Sequence, residues 1–384
     1  MFSNTSQYIG CDDATLDLFE SQYLLPNGMC YNSYLLLGER IAVMDSVDKR
    51  KTAEWLQKIE QSQRTPDYLI IQHTEPDHSG SIGAFLEHYP HATIVASRAA
   101  LQFLEQFGYQ PAHTLMVKHG DCLDLGGLTL HFISAPMVHW PDVMMTYLPE
   151  EKTLFSADAF GSFGVYSAFS AHWIDEARRY CINICGKYGA QVAAALAKIH
   201  AIDIQCISPL HGCVLKGSEV AEALRLYNIW SKYEVETDGV LVAHASIYGN
   251  TAAVAHCIAE RLRSNGVDVK EIDLCRSDIS EAVSQAFRFG KLVLCAASYD
   301  GGVFPPMHEF LYKLGIKGYQ SRRVGVVENG TWAPTEGKTI CSMLEQMKNI
   351  EIVAPIFTIR STWKKDYQQD LEALVKGMIG EECM

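Results

Sequence analysis

His73-Thr74-Glu75-Pro76-Asp77-His78 gathers four side chains able to bind a metal within six residues, directly behind the apolar run Tyr68-Leu69-Ile70-Ile71. An apolar run of that length reads as a buried strand, so the four groups leave its end where the backbone turns. Burying two carboxylates and two imidazoles in one place without a cation costs on the order of several kcal/mol. Coordination of a metal is the cheaper explanation. The competing one is a polar loop whose His and Asp cap the helix after Ser79.

Three more apolar runs end on a residue of ligand type. Leu130-His131-Phe132-Ile133 leads to His139, with Trp140 and Asp142 just behind it. Leu154-Phe155-Ser156-Ala157 leads to Asp158, and residues 204–207 lead through Ser208-Pro209-Leu210 to His211. Each alone reads as a hydrogen-bonded loop residue, but together they repeat one rule, and strand ends are stiff platforms for ligands. His73, Glu75, Asp77, His78, His139, Asp158 and His211 are enough for two ions, with Asp158 sharing an oxygen with each. Trp140 reads either as a wall of that pocket or as a core aromatic. His88, His91, His113, His119, His131, His172 and His200 share no pattern and read as ordinary hydrogen-bonding residues.

The elements that hold these groups are expected to alternate. Residues 29–46 read as a hairpin around Gly38-Glu39-Arg40, followed by a helix through Ala53, Leu56 and Ile59. A strand at 92–96 and a helix ending near Phe107-Gly108 come next, and short strands follow at 128–133, 143–148 and 153–156. Sheets covered by helices fit this mixture better than a bundle. Between 227 and 239 the chain turns polar with interleaved aromatics, which puts a domain boundary near Val235 and gives domains 1–235 and 236–384. The absence of Gly/Pro filler there predicts a short connection.

From Gly239 the alternation is regular. Strands are expected at 240–245, 267–274, 292–296, 323–327 and 352–357, and helices at 251–263, 280–289, 307–314, 338–348 and 367–378. Such a series predicts a doubly wound parallel sheet, whose ligands sit outside the C-terminal strand ends. The first of those ends carries Ser246-Ile247-Tyr248-Gly249-Asn250-Thr251, small and hydroxyl residues that suit a phosphate at a helix N-terminus. A plain Thr-capped helix is the alternative. Ser298-Tyr299-Asp300-Gly301-Gly302 with Phe304, and Asn329-Gly330-Thr331-Trp332, follow the third and fourth strands. Glycine lets amides approach a ring edge, and Tyr299, Phe304 or Trp332 could stack on its face. No Gly-x-Gly-x-x-Gly follows the first strand, which speaks against NAD.

The spacing in the first half resembles the metallo-β-lactamase fold, an αββα sandwich whose usual motif is His-x-His-x-Asp-His, then a distant His, Asp and His. Glu75 departs from it: a harder, anionic donor stands where the motif has imidazole, which favours iron over zinc. His-x-Glu-x-Asp-His is the form characteristic of flavodiiron proteins. The three loops of the second half resemble flavodoxin, whose ligand is FMN, with the Trp332-Ala333-Pro334 loop a variant. Lactamase-like then flavodoxin-like is the flavodiiron domain order, so the resemblance spans essentially the whole chain. It implies one iron on His73, Glu75 and His139, another on Asp77, His78 and His211, and Asp158 between them. It implies reduction of dioxygen to water, of nitric oxide to nitrous oxide, or both. It also implies a head-to-tail homodimer, alone or as a dimer of dimers.

Electron counting fits that division. Dioxygen needs four electrons, two from a diferrous pair and two from a reduced flavin, whereas coupling two nitric oxides needs only two. The sequence contains no Cys-x-x-Cys pair of the kind a rubredoxin-like domain would carry, so an external donor is expected, a rubredoxin or a flavin reductase. Two other readings are a zinc hydrolase joined to a flavodoxin and a non-catalytic electron carrier or gas sensor. Glu75 argues against the first; open coordination positions, or gas-dependent oxidation of the reduced protein, would separate the second from an enzyme.

Composition narrows the field further. The chain has 384 residues, enough for two domains, with 48% apolar and 20% charged residues, as globular proteins have. A formal charge of −13 argues against nucleic acid or an anionic membrane as partner. Met1-Phe2-Ser3-Asn4-Thr5-Ser6 lacks the basic start and apolar core of a secretion signal, and no run approaches ~18 apolar residues. The twelve cysteines are scattered, and Cys181 and Cys185 read as buried small hydrophobes in a helix. A reduced, cytoplasmic setting is expected.

Overall fold

The computed structural model describes residues 5–166 and 173–380, so His172 lies outside the described residues. The chain divides into two compact units, Met1–Ser231 and Lys232–Met384.

Two six-stranded sheets form the first unit. One runs in the order Ser6–Tyr8, Tyr34–Leu37, Ile41–Met44, Tyr68–Ile71, Thr93–Ala96, Thr114–Met116. Its hairpin pairs Tyr34 with Met44, and from Ile41–Met44 onward its neighbours are parallel. Parallel neighbours need crossovers, and the helices Thr52–Gln61, Ile82–His88 and Arg98–Gln106 lie in them. The other sheet runs Cys122–Asp124, Thr129–Ser134, Met144–Leu148, Thr153–Phe155, Cys206–Ser208, Leu215–Lys216. Its neighbours are antiparallel except Thr153–Phe155 against Cys206–Ser208.

One apolar core joins the two sheets. Leu36, Met44, Ile70 and Val95 of the first sheet share it with Leu130, Phe132, Met144 and Phe155 of the second. Each fully buried side chain of this kind is worth about 1.5–3 kcal/mol, so the contact fixes the sheets face to face. Helices cover the outside. Thr52–Gln61 buries Trp55, Leu56 and Ile59 on one stripe, and Trp55 meets Phe85 at 5.7 Å between ring centres. Helices Trp173–Cys185, Gly189–Ile199 and Ser218–Ser231 belong to the same unit, and Cys181 and Cys185 are buried in the first of them. The result is the expected αββα arrangement.

The structure refines the sequence reading where the ligands leave the first sheet. A separate turn of helix, Pro76–Ser79, precedes Ile82–His88, and Pro76 opens it. Proline suits the first helical position because its missing N–H has no partner to lose there. Asp77 and His78 therefore ride on a helical turn rather than on a loop. The short strands Ser6–Tyr8, Cys11–Asp13 and Cys122–Asp124 have no counterpart in the sequence reading, since three residues are too few for a periodic signal.

The second unit is a parallel sheet ordered Val269–Asp273, Thr237–His244, Phe289–Tyr299, Arg322–Asn329, Ile350–Ile359. Its helices are Asn250–Ser264, Ile279–Arg288, Pro305–Ile316, Glu336–Glu345 and Gln368–Ile379. The order reverses beside the first strand, and the loop after that strand opens at this switch point. Helices Asn250–Ser264 and Gln368–Ile379 bury Val254, Ile258, Leu371 and Leu374 against Val240, Val242 and Val293. No helix among the described residues is long and apolar enough to cross a membrane.

Candidate functional site

Seven side chains from four strand ends converge in the first unit. His73, Glu75, His139 and Asp158 offer ligand atoms to one point, and Asp77, His78 and His211 to another. Asp158 faces both. Its Oδ2 lies 3.4 Å from His73 Nε2 and 3.3 Å from His139 Nε2, while its Oδ1 lies 3.3 Å from His78 Nε2 and 3.7 Å from His211 Nε2. Glu75 Oε2 closes the first group at 3.0 Å from His139 Nε2 and 3.3 Å from His73 Nε2. Asp77 Oδ2 closes the second at 3.2 Å from His211 Nε2 and 3.4 Å from His78 Nε2.

These groups point at a shared centre rather than at one another. Both carboxylate oxygens of Asp77 and of Asp158 are buried without a hydrogen-bond partner. His78 and His211 bring Nε2 to Nε2 at 3.0 Å, a contact that needs a proton or a cation between the two nitrogens. A cation at each point removes both problems, and the donor set of four imidazoles and three carboxylates fits two ions of the iron or zinc class.

The outer partners favour ligation through Nε2. His73 Nδ1 faces Asp142 Oδ2 at 3.2 Å, and His211 Nδ1 donates to the Cys30 carbonyl at 2.7 Å. A proton held on Nδ1 leaves the Nε2 lone pair free for a metal. Asp142 Oδ2 is itself held by the Thr74 N–H and hydroxyl, each at 2.8 Å. Gly212 sits behind His211 at φ +78°, where a Cβ would come 2.1 Å from Ser162 Oγ, so only glycine fits that turn.

Proton affinities record the same crowding of charge. Burial opposes charge on His73, yet Asp142 and Glu75 outweigh it and hold the imidazole well above its usual range. His78, against burial, rises to about 9 beside Asp77 and Asp158, and His139 rises to about 9 beside Asp158 and Glu75. Burial raises Glu75, but His139 and His73 bring it down to about 2. Asp158 is held well below the carboxylate range by His139 and His78 despite full burial. Without metal, protons on the imidazoles stand in for it. Trp140 lies edge-on to His73 with ring centres 5.2 Å apart, at the wall of the centre.

In the second unit, three loops meet above the sheet's C-terminal edge. Gly249, at φ +88°, caps helix Asn250–Ser264, and its N–H donates to Ser246 Oγ at 3.1 Å. Thr251 is buried, and its hydroxyl accepts from the Asn329 amide at 3.2 Å. Ile247, Tyr248, Tyr299 and Trp332 keep large apolar surfaces in water, and Tyr299 packs on Phe304 at 5.5 Å. Asp300 and Gly301 both take positive φ, and Gly302 pairs back on Tyr299. Ser298 hydroxyl is taken up by Glu336, and Thr331 hydroxyl by Ser361. Gly330 lies against Pro334 backbone so closely that no side chain fits.

The family model of the ODP family beta lactamase matches residues 29–212. Diflavin flavoprotein A 1 of Synechocystis sp. (strain PCC 6803) is 36% identical over 275 residues, 69% of this chain and 48% of that protein. The anaerobic nitric oxide reductase flavorubredoxin of Aliivibrio fischeri is 27% identical over 344 residues, 86% of this chain and 69% of that one. The crystal structure of the flavodiiron protein from Giardia intestinalis superposes with a TM-score of 0.92 at 26% identity, covering 98% of this chain and 96% of that one. The chain belongs to the flavodiiron protein family. It spans 48–62% of the length of the cyanobacterial diflavin flavoproteins it matches.

Sequence reasoning on this flavodiiron chain missed two positions. Asp142 follows His139 by three residues in a loop without periodicity, so nothing marked it as the partner of His73. Cys30 acts through its backbone carbonyl, which no residue type advertises. Asn329, a candidate of the cofactor loops, donates its side-chain amide to Thr251 Oγ and the Ser361 carbonyl and accepts from the Ser361 N–H, which ties the first loop to Ser361.

Proposed function

We propose that this chain is a reductase in which a flavin feeds electrons to a non-haem di-iron centre that reduces dioxygen to water, nitric oxide to nitrous oxide, or both. The observation that carries the reading is Asp158, whose two oxygens are divided between two groups of imidazoles and carboxylates. Family membership and the printed name of the Aliivibrio relative support the reaction class. Two irons would be held by His73, Glu75 and His139 on one side and by Asp77, His78 and His211 on the other. They supply open positions for the gas and two electrons, and FMN supplies two more.

The chain's own residues have separate tasks. Glu75 lends the first group a second anion, which holds a higher-valent, harder metal better than imidazole does. Asp142 and the Cys30 carbonyl keep His73 and His211 oriented. Trp140 shields the ring of His73 from water. In the second unit, the 246–251 loop would take the FMN phosphate, with backbone N–H groups at the helix start pointing at it. Tyr299, Phe304 and Trp332 would contact the isoalloxazine, backed by Gly301, Gly302 and Gly330. Residues 1–235 then form the metal domain and 236–384 the flavin domain.

An external donor such as a rubredoxin or a flavin reductase, a head-to-tail homodimer and a cytoplasmic setting complete the reading. Anaerobic purification followed by metal and flavin analysis, then gas consumption by the chemically reduced protein, tests it. About two irons and one FMN per chain with rapid uptake of either gas is the expected result. Zinc in place of iron with no gas uptake overturns it.

A further inference from the structure

Beside the metal centre lies a cavity of about 600 Å³ that no step above uses. It opens between the edge strand Thr114–Met116 of one sheet and strands Thr129–Ser134 and Met144–Leu148 of the other, next to helix Arg98–Gln106. Met116, Phe132, Val143 and Met144 give it apolar walls. Its volume lies within the ~300–1,000 Å³ typical of small-molecule sites.

Charge sorts the two ends. Arg98, Lys118 and His119 line the cavity and are exposed, and among the described residues no hydrogen bond or ion pair engages the Arg98 or Lys118 side chain. Asp121, the acid on the same rim, accepts instead from the Lys118 backbone N–H at 3.0 Å. Arg98 and Lys118 thus turn uncompensated positive charge toward the cavity in a chain whose net charge is −13. Asp142 also lines the cavity; its Oδ2 serves His73 and Thr74, but its Oδ1 is buried without a partner. A buried carboxylate oxygen in that state is unfavourable until a donor reaches it.

We propose that this cavity binds a small amphipathic carboxylate, with its anion at Arg98 and Lys118, an apolar ring between Met116, Phe132 and Val143, and an O–H donor turned to Asp142. Asp142 stands between the ligand and His73, so the site borders the metal centre without sharing a metal ligand.

Three probes separate the contributions: 6-hydroxy-2-naphthoate, 2-naphthol (the same ring and hydroxyl without the carboxylate) and 2-naphthoate (the same ring and carboxylate without the hydroxyl). Each is titrated by its own fluorescence into the metal-loaded full chain. The hydroxy acid is expected to bind at least about ten-fold more tightly than 2-naphthol and about three-fold more tightly than 2-naphthoate. Arg98→Gln with Lys118→Gln erases the first ratio at low salt and leaves 2-naphthol binding unchanged. Ala99→Trp, on the lining helix, blocks all three probes, with thermal melting confirming that the fold is kept. Equal affinity for 2-naphthol and the hydroxy acid, equal affinity for 2-naphthoate and the hydroxy acid, binding indifferent to the double variant, or no binding overturns the proposal.

Discussion

At the metal centre His73, His78 and His211 have no exposed surface, while at the flavin loops Tyr248 keeps 93% and Trp332 88% of theirs. The first region is finished by the protein: imidazole rings are locked by Asp142 and Cys30, and charges already face each other across fixed distances. Only a cation is needed to balance them. The second region is finished by its ligand, because its aromatic rings lie in water with few partners and gain theirs when a ring covers them. Buried ionic sites must be built in advance, since a lone buried charge is intolerable. Exposed stacking platforms can wait.

That contrast makes loss of a shared ligand the most damaging change. Asp158→Ala leaves four imidazoles without the carboxylate common to both groups. Removing a mere outer partner typically costs 10–100-fold in metal affinity, so loss of this residue is expected to exceed about 100-fold at both sites. Metal analysis after dialysis checks it, and retention of two ions per chain would break the assignment of Asp158 as the bridge.

The second prediction concerns the metal-free protein and pH. His78 and His139 have folded pKa values raised to about 9, and His73 is held well above its usual range. Their contribution is therefore full below the unfolded value near 6.5 and is lost as pH rises through about 9. Glu75 is depressed to about 2 and Asp158 well below the carboxylate range, so their contribution is present above the unfolded values of about 4–4.5 and that of Glu75 is lost as pH falls through about 2. Melting temperature of the metal-free chain should decline from pH 6.5 to 9, whereas the metal-loaded chain, with cations in place of protons, stays flat. Parallel profiles for the two forms would show that the imidazoles do not face the metals.

Asp142→Ala is next. It leaves His73 free to rotate and to change tautomer, with metal affinity of the Glu75 group falling about 10–100-fold and that of the Asp77 group much less. Site-resolved metal titration distinguishes this from a general loss of fold, and Asp142→Asn, which still offers an oxygen to His73, should recover part of the loss.

The flavin loops predict the smallest effects. Trp332→Ala removes a stacking face worth ~0.5–1.5 kcal/mol, hence about 2–12-fold in FMN affinity. Because the side chain is 88% exposed, stability should move by less than about 0.5 kcal/mol. A large drop in melting temperature would mean that Trp332 is part of the core, against the contrast drawn here. Tyr299→Ala, packed on Phe304, should affect both quantities slightly.

The sequence by itself determined the ligand types and their strand-end spacing. It also determined the alternation of strands and helices in residues 240–378 and the glycine that opens helix Asn250–Ser264, because these are local: an apolar run followed by a polar exit is read within ten residues or so. It could not determine that Asp142 would meet His73 across 69 positions, or that the Cys30 carbonyl would meet His211 across 181. Nor could it separate the Pro76–Ser79 turn from the helix after it, or reveal that the Asn329 side chain ties Thr251 to Ser361. Those contacts arise only when two sheets close on one apolar core. Which backbone carbonyl or distant carboxylate comes within 3 Å of an imidazole depends on that packing, and no residue type announces it.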